Sequence, residues 1–409
     1  MRRVVIFIAA MLGVVLAADV YSALNTARIA YFNEKDYPRA RKACLEGIDL
    51  APDNCELYAI LAGSEMGLGN WPSAAQAFDK AFTIDTSKTL NWIFKEPEGA
   101  KYYFQAFYFS ARELFERVQY DSTLYYLGYA QVLEIEDVNV DILKGAALYK
   151  LERFNEANSE YMRVLELDPN NPDVNFLIGK SLFDSEEYEG CLGYFTKAIQ
   201  NYKPQYERFG RIIFQNRLSI DSALAQEIVV LWAGKDTGRL DQLIKDSLGF
   251  AEGLAIQAAS IEQFAKASDN LGRSHYFLAM AQCNLKNDTV ALNNMLQSVK
   301  YRPDDYDALY FAGEWHVRMQ KYAAAIPHLE RLTNLCPDDQ YAWFYLAVCY
   351  TEAEQYKRAA DIYENKVLKL DPDNIDAMNN LAYVYREMGE HEKALHWFIR
   401  AEEAKKGPE

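Results

Sequence analysis

The sequence predicts an all-α chain, a solenoid of antiparallel helix pairs with a divergent helical segment in its middle. Three observations carry the prediction. One set of small and aromatic landmarks returns about every 34 residues. Within each return the landmarks keep helical steps: i, i+1, i+4 in a first helix, then i, i+4, i+7 in a second. Breakers are few, because 20 Gly and 12 Pro in 409 residues leave little room for long loops or turn-rich β folds.

Residues 1–18 read as a secretory signal peptide. Arg2 and Arg3 form a basic start, Val4 to Leu16 is an unbroken run of apolar or small residues, and Ala17 and Ala18 precede Asp19. The run is too short to span a bilayer comfortably. Export to a periplasm or as a secreted protein is therefore expected in preference to a short membrane anchor, with no membrane insertion once the signal is cleaved.

Residues 19–205 form the first array, about five helix pairs of which one is irregular. Ala27, Tyr31, Tyr37, Ala40 and Cys44 open the series, and Leu61-Ala62, Gly69, Trp71, Ala74 and Phe78 repeat it. Gly145, Phe154, Ala157 and Tyr161 end at Pro169, and Ile178-Gly179, Tyr188, Cys191 and Phe195 end near Pro204. In the irregular stretch 89–103, Pro97 and Gly99 should break helicity. Residues 206–271 keep no clear unit. "LSIDSALAQEIVVLWAGKDTG" and "AEGLAIQAASIEQFAKASDN" still read as helices there, either decayed repeats or a spacer between the arrays. Residues 272–409 hold about four further pairs, the last marked by Leu381-Ala382, Tyr385, Gly389, Ala394, Phe398 and Ala401. The turns between pairs read "LDPNN", "LCPDD" and "LDPDN": Pro stops one helix and Asp or Asn caps the next. "DPDNID" at 371–376 begins like a calcium loop but lacks its Gly and distant Glu.

This pattern resembles the tetratricopeptide repeat family, with about nine copies over three quarters of the chain. The resemblance implies a right-handed superhelix in which Gly145, Gly179, Gly313 and Ala382 sit where paired helices approach most closely. It also implies an inner groove. Carried over by position, the groove residues are Tyr108, Arg112 and Phe115; Tyr149; Phe176, Lys180 and Phe183; Tyr276; Tyr310, Glu314 and Arg318; Phe344; and Tyr383 and Arg386. Aromatics with occasional charges suit capture of a protein or peptide.

The chemistry of the remaining residues points the same way. A net charge of −16 disfavours nucleic acid and anionic membranes. Six cysteines show no CxxC, and several fall where a small buried residue belongs, so free thiols are expected. The five histidines have no metal-binding companions, and no nucleophile, phosphate-loop or dinucleotide motif occurs. The expectation is a non-enzymatic, exported interaction scaffold without cofactor or metal, acting within an envelope-associated complex. Two alternatives stand beside it. One is an accessory of a carbohydrate-active or secretion system with a site in 206–271. The other is a self-associating structural array, homodimeric through its exposed last helix.

Overall fold

The computed structural model describes residues 17–95, 99–213, 222–248 and 254–406, and every regular element among them is helical. The apolar run Val4 to Leu16 and Pro97 lie outside the described residues. The chain forms two compact units, one ending at Pro169 and the other beginning at Asn170.

In the first unit, α1 (17–28) runs into a π-helical turn, Ile29–Glu34, and pairs with α2 (Tyr37–Leu50). The following pairs are α3 (Cys55–Gly67) with α4 (Trp71–Ile84), α6 (Gly99–Glu116) with α7 (Tyr120–Val132), and α8 (Val138–Lys150) with α9 (Phe154–Leu167). Each pair packs on the next, which is how short amphipathic helices bury their apolar faces. A short extra helix, α5 (Thr86–Ile93), is wedged against α3, α4 and α6. It buries Trp92 within 6.3 Å of the rings of Tyr31, Phe32, Phe78 and Tyr103. The expected break in 89–103 therefore falls between Ile93 and Gly99.

In the second unit, α10 (Pro172–Asp184) pairs with α11 (Tyr188–Ile213). After α12 (Ser222–Ala233) and α13 (Thr237–Leu248) comes α14 (Leu254–Asn284), paired with α15 (Asp288–Tyr301). The series continues with α16 (Tyr306–Arg318), α17 (Tyr322–Leu335) and α18 (Gln340–Glu352). It ends with α19 (356–370, with a π-helical turn at Tyr363–Val367), α20 (Ile375–Glu387) and α21 (His391–Lys406). Pro204 does not end a helix. It lies inside α11, which continues to Ile213 because its far half packs along α14. Phe195 stacks on Phe277 at 5.9 Å and Tyr206 on Phe264 at 4.6 Å, and this burial outweighs the backbone hydrogen bond that proline forfeits. The pair α11–α14 is thus much longer than its neighbours. Its far end holds a small four-helix core with α12 and α13, built on Ile213, Ile228, Leu240, Ile244, Ile261 and Phe264.

Local chemistry accounts for the helix starts. Asn54, Asp137, Asn171, Asp305, Asp339 and Asn374 each precede a first helix and accept from its free backbone N–H groups at 2.8–3.3 Å. Such a cap contributes about 1 kcal/mol. The "DPDNID" stretch is one of these turns: Asn374 caps α20, and Asp371 accepts from Gln340 Nε2 at 2.7 Å. Within pairs, the turn needs one left-handed residue. Gly69 and Gly389 supply it in two cases, while Val118, Glu152, Glu186, Gln320 and Glu354 hold φ between 58° and 63° without glycine's freedom.

Two positions set the packing. A Cβ on Gly145, Gly179 or Gly313 would lie 2.4 Å from Tyr161, 2.9 Å from Phe195 or 2.7 Å from Leu329, so only glycine lets those helices close. The opposing side chain is always the eighth residue of the second helix. Across the chain that position is Cys44, Phe78, Leu127, Tyr161, Phe195, Met295, Leu329 and Tyr363, and all of them are fully buried. All six cysteines are free thiols. Cys44, Cys55, Cys191 and Cys349 are buried, and burial pushes Cys44 and Cys349 up to about 12.

One second helix, α19, carries a π-helical turn. α19 spans 15 residues, where α9 and α17 span 14. The extra residue is absorbed by a π-helical turn at Tyr363–Val367, and both Tyr363 and Val367 remain buried.

Candidate binding surface

The first helix of each pair has two apolar sides, one facing its partners and one left partly open. In the second unit the open side gathers a run of rings across α16 and α18. Tyr306 and Tyr310 stand one turn apart with parallel rings at 6.3 Å. Tyr310 meets Phe311 at 5.8 Å and reaches Tyr345 of the next pair at 6.3 Å. Phe344 lies 6.1 Å from Tyr345. Tyr306 and Tyr341 are exposed, while Tyr310, Phe344 and Tyr345 are half-buried. Tyr306 Oη donates to Asp339 at 2.6 Å, the carboxylate that also caps α18, so this ring is fixed by the turn beneath it. Glu314 is half-buried and Arg318 exposed, two successive turns further along α16. Burial raises the Tyr310 phenol above its ordinary value, with Tyr345 adding to the effect, so it stays a hydrogen-bond donor at neutral pH.

Other predicted residues in this unit are placed as follows. Tyr276 is half-buried beside Phe277, at 5.3 Å, and burial pushes its phenol up to about 12. Lys180 lies 4.8 Å over the ring of Phe277 and pairs with Asp184, and Phe183 touches Phe277 at 5.5 Å. Phe176 turns inward. It is 7% exposed, packs on Phe195 and Phe277 and is covered by the Arg273 guanidinium at 4.8 Å, so its role is in the core. Tyr383 and Arg386 are exposed, with the guanidinium 4.9 Å over the ring.

In the first unit, Tyr108 lines a cleft of about 420 Å³ with Phe104, Gln105, Phe109 and the acidic turn Glu134–Asp137. Arg112 is exposed one turn on, and Phe115 is half-buried 5.3 Å from Tyr120. Tyr149 is half-buried against Phe154 at 5.7 Å.

Tyr306, Tyr341 and Tyr345 were not among the predicted positions. Their signal was present in the sequence: Tyr306–Tyr310 and Tyr341–Tyr345 are both i, i+4 pairs, spaced to share a helix face. Among the described residues no cluster of His, Cys, Asp or Glu is placed to hold a metal ion. No described helix is long and apolar enough to cross a membrane.

Stacked antiparallel helix pairs with close-approach glycines and capped turns define a helical-repeat protein. Tetratricopeptide-repeat family models match residues 142–171, 313–375 and 364–396, the segments holding α8–α9 and much of α16–α21. The chain carries tetratricopeptide repeats in these segments. Such repeats serve as protein–protein interaction scaffolds.

Among curated proteins, the chain is similar to Protein CTR9 homolog of Arabidopsis thaliana, 23% identical over 338 residues, 80% of this chain and 27% of that protein. It is also similar to DnaJ homolog subfamily C member 3 of Gallus gallus, 24% identical over 221 residues, 53% of this chain and 40% of that one. The matches thus span less than half the length of either relative. Among solved structures, YrrB, a tetratricopeptide-repeat protein with an unusual peptide-binding site, overlays with a TM-score of 0.40 at 14% identity, covering 60% of this chain and 93% of YrrB. MamA from Desulfovibrio magneticus RS-1 overlays at 0.32 and 19% identity, covering 47% and 99%.

Proposed function

We propose that the chain is a non-enzymatic scaffold that holds a partner protein or peptide segment along the open side of its first helices, centred on Tyr310, Phe344 and Tyr345. The observation that carries this reading is the continuous band of partly exposed rings linking α16 to α18. Folding has left these rings wet on one side while fixing their orientation. A partner can therefore bury large apolar area at little cost in side-chain entropy. Glu314 and Arg318 at the edge of the band supply charges of both signs, which set the direction and register of an extended ligand.

The setting we propose is outside the cytoplasm, within an envelope-associated complex. Arg2 and Arg3, the apolar run that follows and the small residues before Asp19 support it. The test combines three measurements. Cross-linking mass spectrometry in the native host identifies the neighbour. Tyr310→Ala and Phe344→Ala should each weaken its retention by tenfold or more, about 1.4 kcal/mol apiece. N-terminal sequencing of the mature protein should start at Ala18 or Asp19. Undiminished binding by the double variant refutes the docking surface, and a mature protein starting at Met1 refutes cleavage and export by this route.

A further inference from the structure

The last helix, α21, leaves uncovered a face that every earlier second helix buries. Its eighth residue is Phe398, which occupies the position that is fully buried elsewhere in the chain, yet Phe398 is 53% exposed. Leu395 and Ile399, at 59% and 47%, flank it on the same side. Ala394, Trp397, Ala401 and Ala404 point the other way, into the core of the unit. The open stripe therefore carries apolar residues at its centre in helical register.

The charges at the ends of that stripe are ordered. Glu392 lies in the first turn and Lys405 in the last, both exposed. Among the described residues Glu392 has no ion-pair partner of its own, whereas Lys405 holds Glu402 one turn back at 2.5 Å, an exposed pair that it would exchange for Glu392 of a second copy. Place a second α21 antiparallel to the first, with the two-fold axis between Phe398 and Ile399. Phe398 then meets Ile399 of the other copy, Leu395 meets the aliphatic stem of Glu402, and Glu392 meets Lys405. Each contact occurs twice, as a self-complementary surface requires. A parallel arrangement would instead set Glu392 against Glu392 and Lys405 against Lys405.

We propose that α21 is the interface of a two-fold homodimer, its exposed stripe packed antiparallel on the same stripe of a second copy. This surface is separate from the ring band of α16 and α18, and its test does not depend on partner binding. Light scattering or sedimentation of the purified protein at micromolar concentration should give twice the mass of one chain. Phe398→Glu, at a half-exposed position, should give a single-chain mass with unchanged helical circular dichroism. Glu392→Lys and Lys405→Glu should each raise the dimer dissociation constant about tenfold, since each alters two symmetric ion pairs. The double exchange Glu392→Lys with Lys405→Glu should restore it. A single-chain mass for the unaltered protein overturns the proposal, as does a dimer that survives Phe398→Glu. Mass that keeps growing beyond two chains with concentration overturns the two-fold contact in favour of a head-to-tail one. A double exchange that fails to restore association overturns the antiparallel register.

Discussion

Gly145 and Gly128 receive the same substitution and should respond with opposite sign. In α8 a Cβ on Gly145 would stand 2.4, 2.7 and 2.8 Å from three ring atoms of Tyr161, where carbon–carbon contact normally begins near ~3.5 Å. The ring would have to retreat by about 1 Å, and Tyr161 is fully buried. Overpacking of this kind costs about 3 kcal/mol at its upper end. Replacing a helical glycine by alanine returns about 1 kcal/mol. Gly145→Ala should therefore destabilise the first unit by about 2 kcal/mol. Gly128 in α7 is exposed and nothing lies within 4 Å of its added Cβ, so Gly128→Ala should stabilise by nearly the full propensity gain, about 0.8 kcal/mol. Urea unfolding followed by far-ultraviolet circular dichroism reads both as shifts in midpoint. Shortening Tyr161 to Leu in the Gly145→Ala background should make the two changes less costly together than their separate costs predict. A raised midpoint for Gly145→Ala would show that close approach of paired helices is not what holds glycine there.

Further outcomes follow from other sites. Val118 is a β-branched residue held at φ 63°, so Val118→Gly should raise the midpoint by about 1 kcal/mol of stability, measured in the same assay. Asp305→Ala removes the acceptor for Ala308 N–H at 2.8 Å and should cost about 1 kcal/mol, visible as faster amide exchange in the first turn of α16. His328 is held down to about 4 by burial and then by its neighbour His316, whose ring stacks on it at 5.6 Å. The neutral ring's contribution is thus complete above the unfolded value near 6.5 and is lost as pH falls toward 4. With solvent screening allowed for, that loss is roughly 2 kcal/mol, and His328→Gln should flatten the pH dependence of the unfolding midpoint in this window. Thiol titration of the native protein should label half-buried Cys283 and Cys336 first, with Cys44, Cys191 and Cys349 reacting only on unfolding.

Much of the pair architecture was legible because packing and capping write short, local signals. Gly145 and Tyr161 are 16 residues apart in the sequence and in contact in the fold, and Gly179 with Phe195 and Gly313 with Leu329 repeat that spacing. Asp and Asn after proline predicted caps that the hydrogen bonds realise. The reading of Pro204 failed because proline's backbone cost is local, while the contacts that outweigh it come from α14, more than 50 residues later. Helix α5 was missed for a related reason: Trp92 has no landmark spacing and is placed by rings from three other helices. On the binding surface, family position placed Tyr310 and Phe344 but could not tell an open ring from a closed one. Phe176 occupies an equivalent position and is sealed, because Phe277 and Arg273 from α14 close over it.

The π-helical turn in α19 has a consequence for how such a chain can change. A one-residue insertion inside a helix ordinarily rotates everything after it by 100°, which would swing α20 and α21 off their seats. Here the widened turn takes up the added residue, so the downstream pair keeps its phase. A repeat that can swallow a codon without a loop gives evolution a way to alter spacing along one side of the stack while leaving the rest of the ladder untouched.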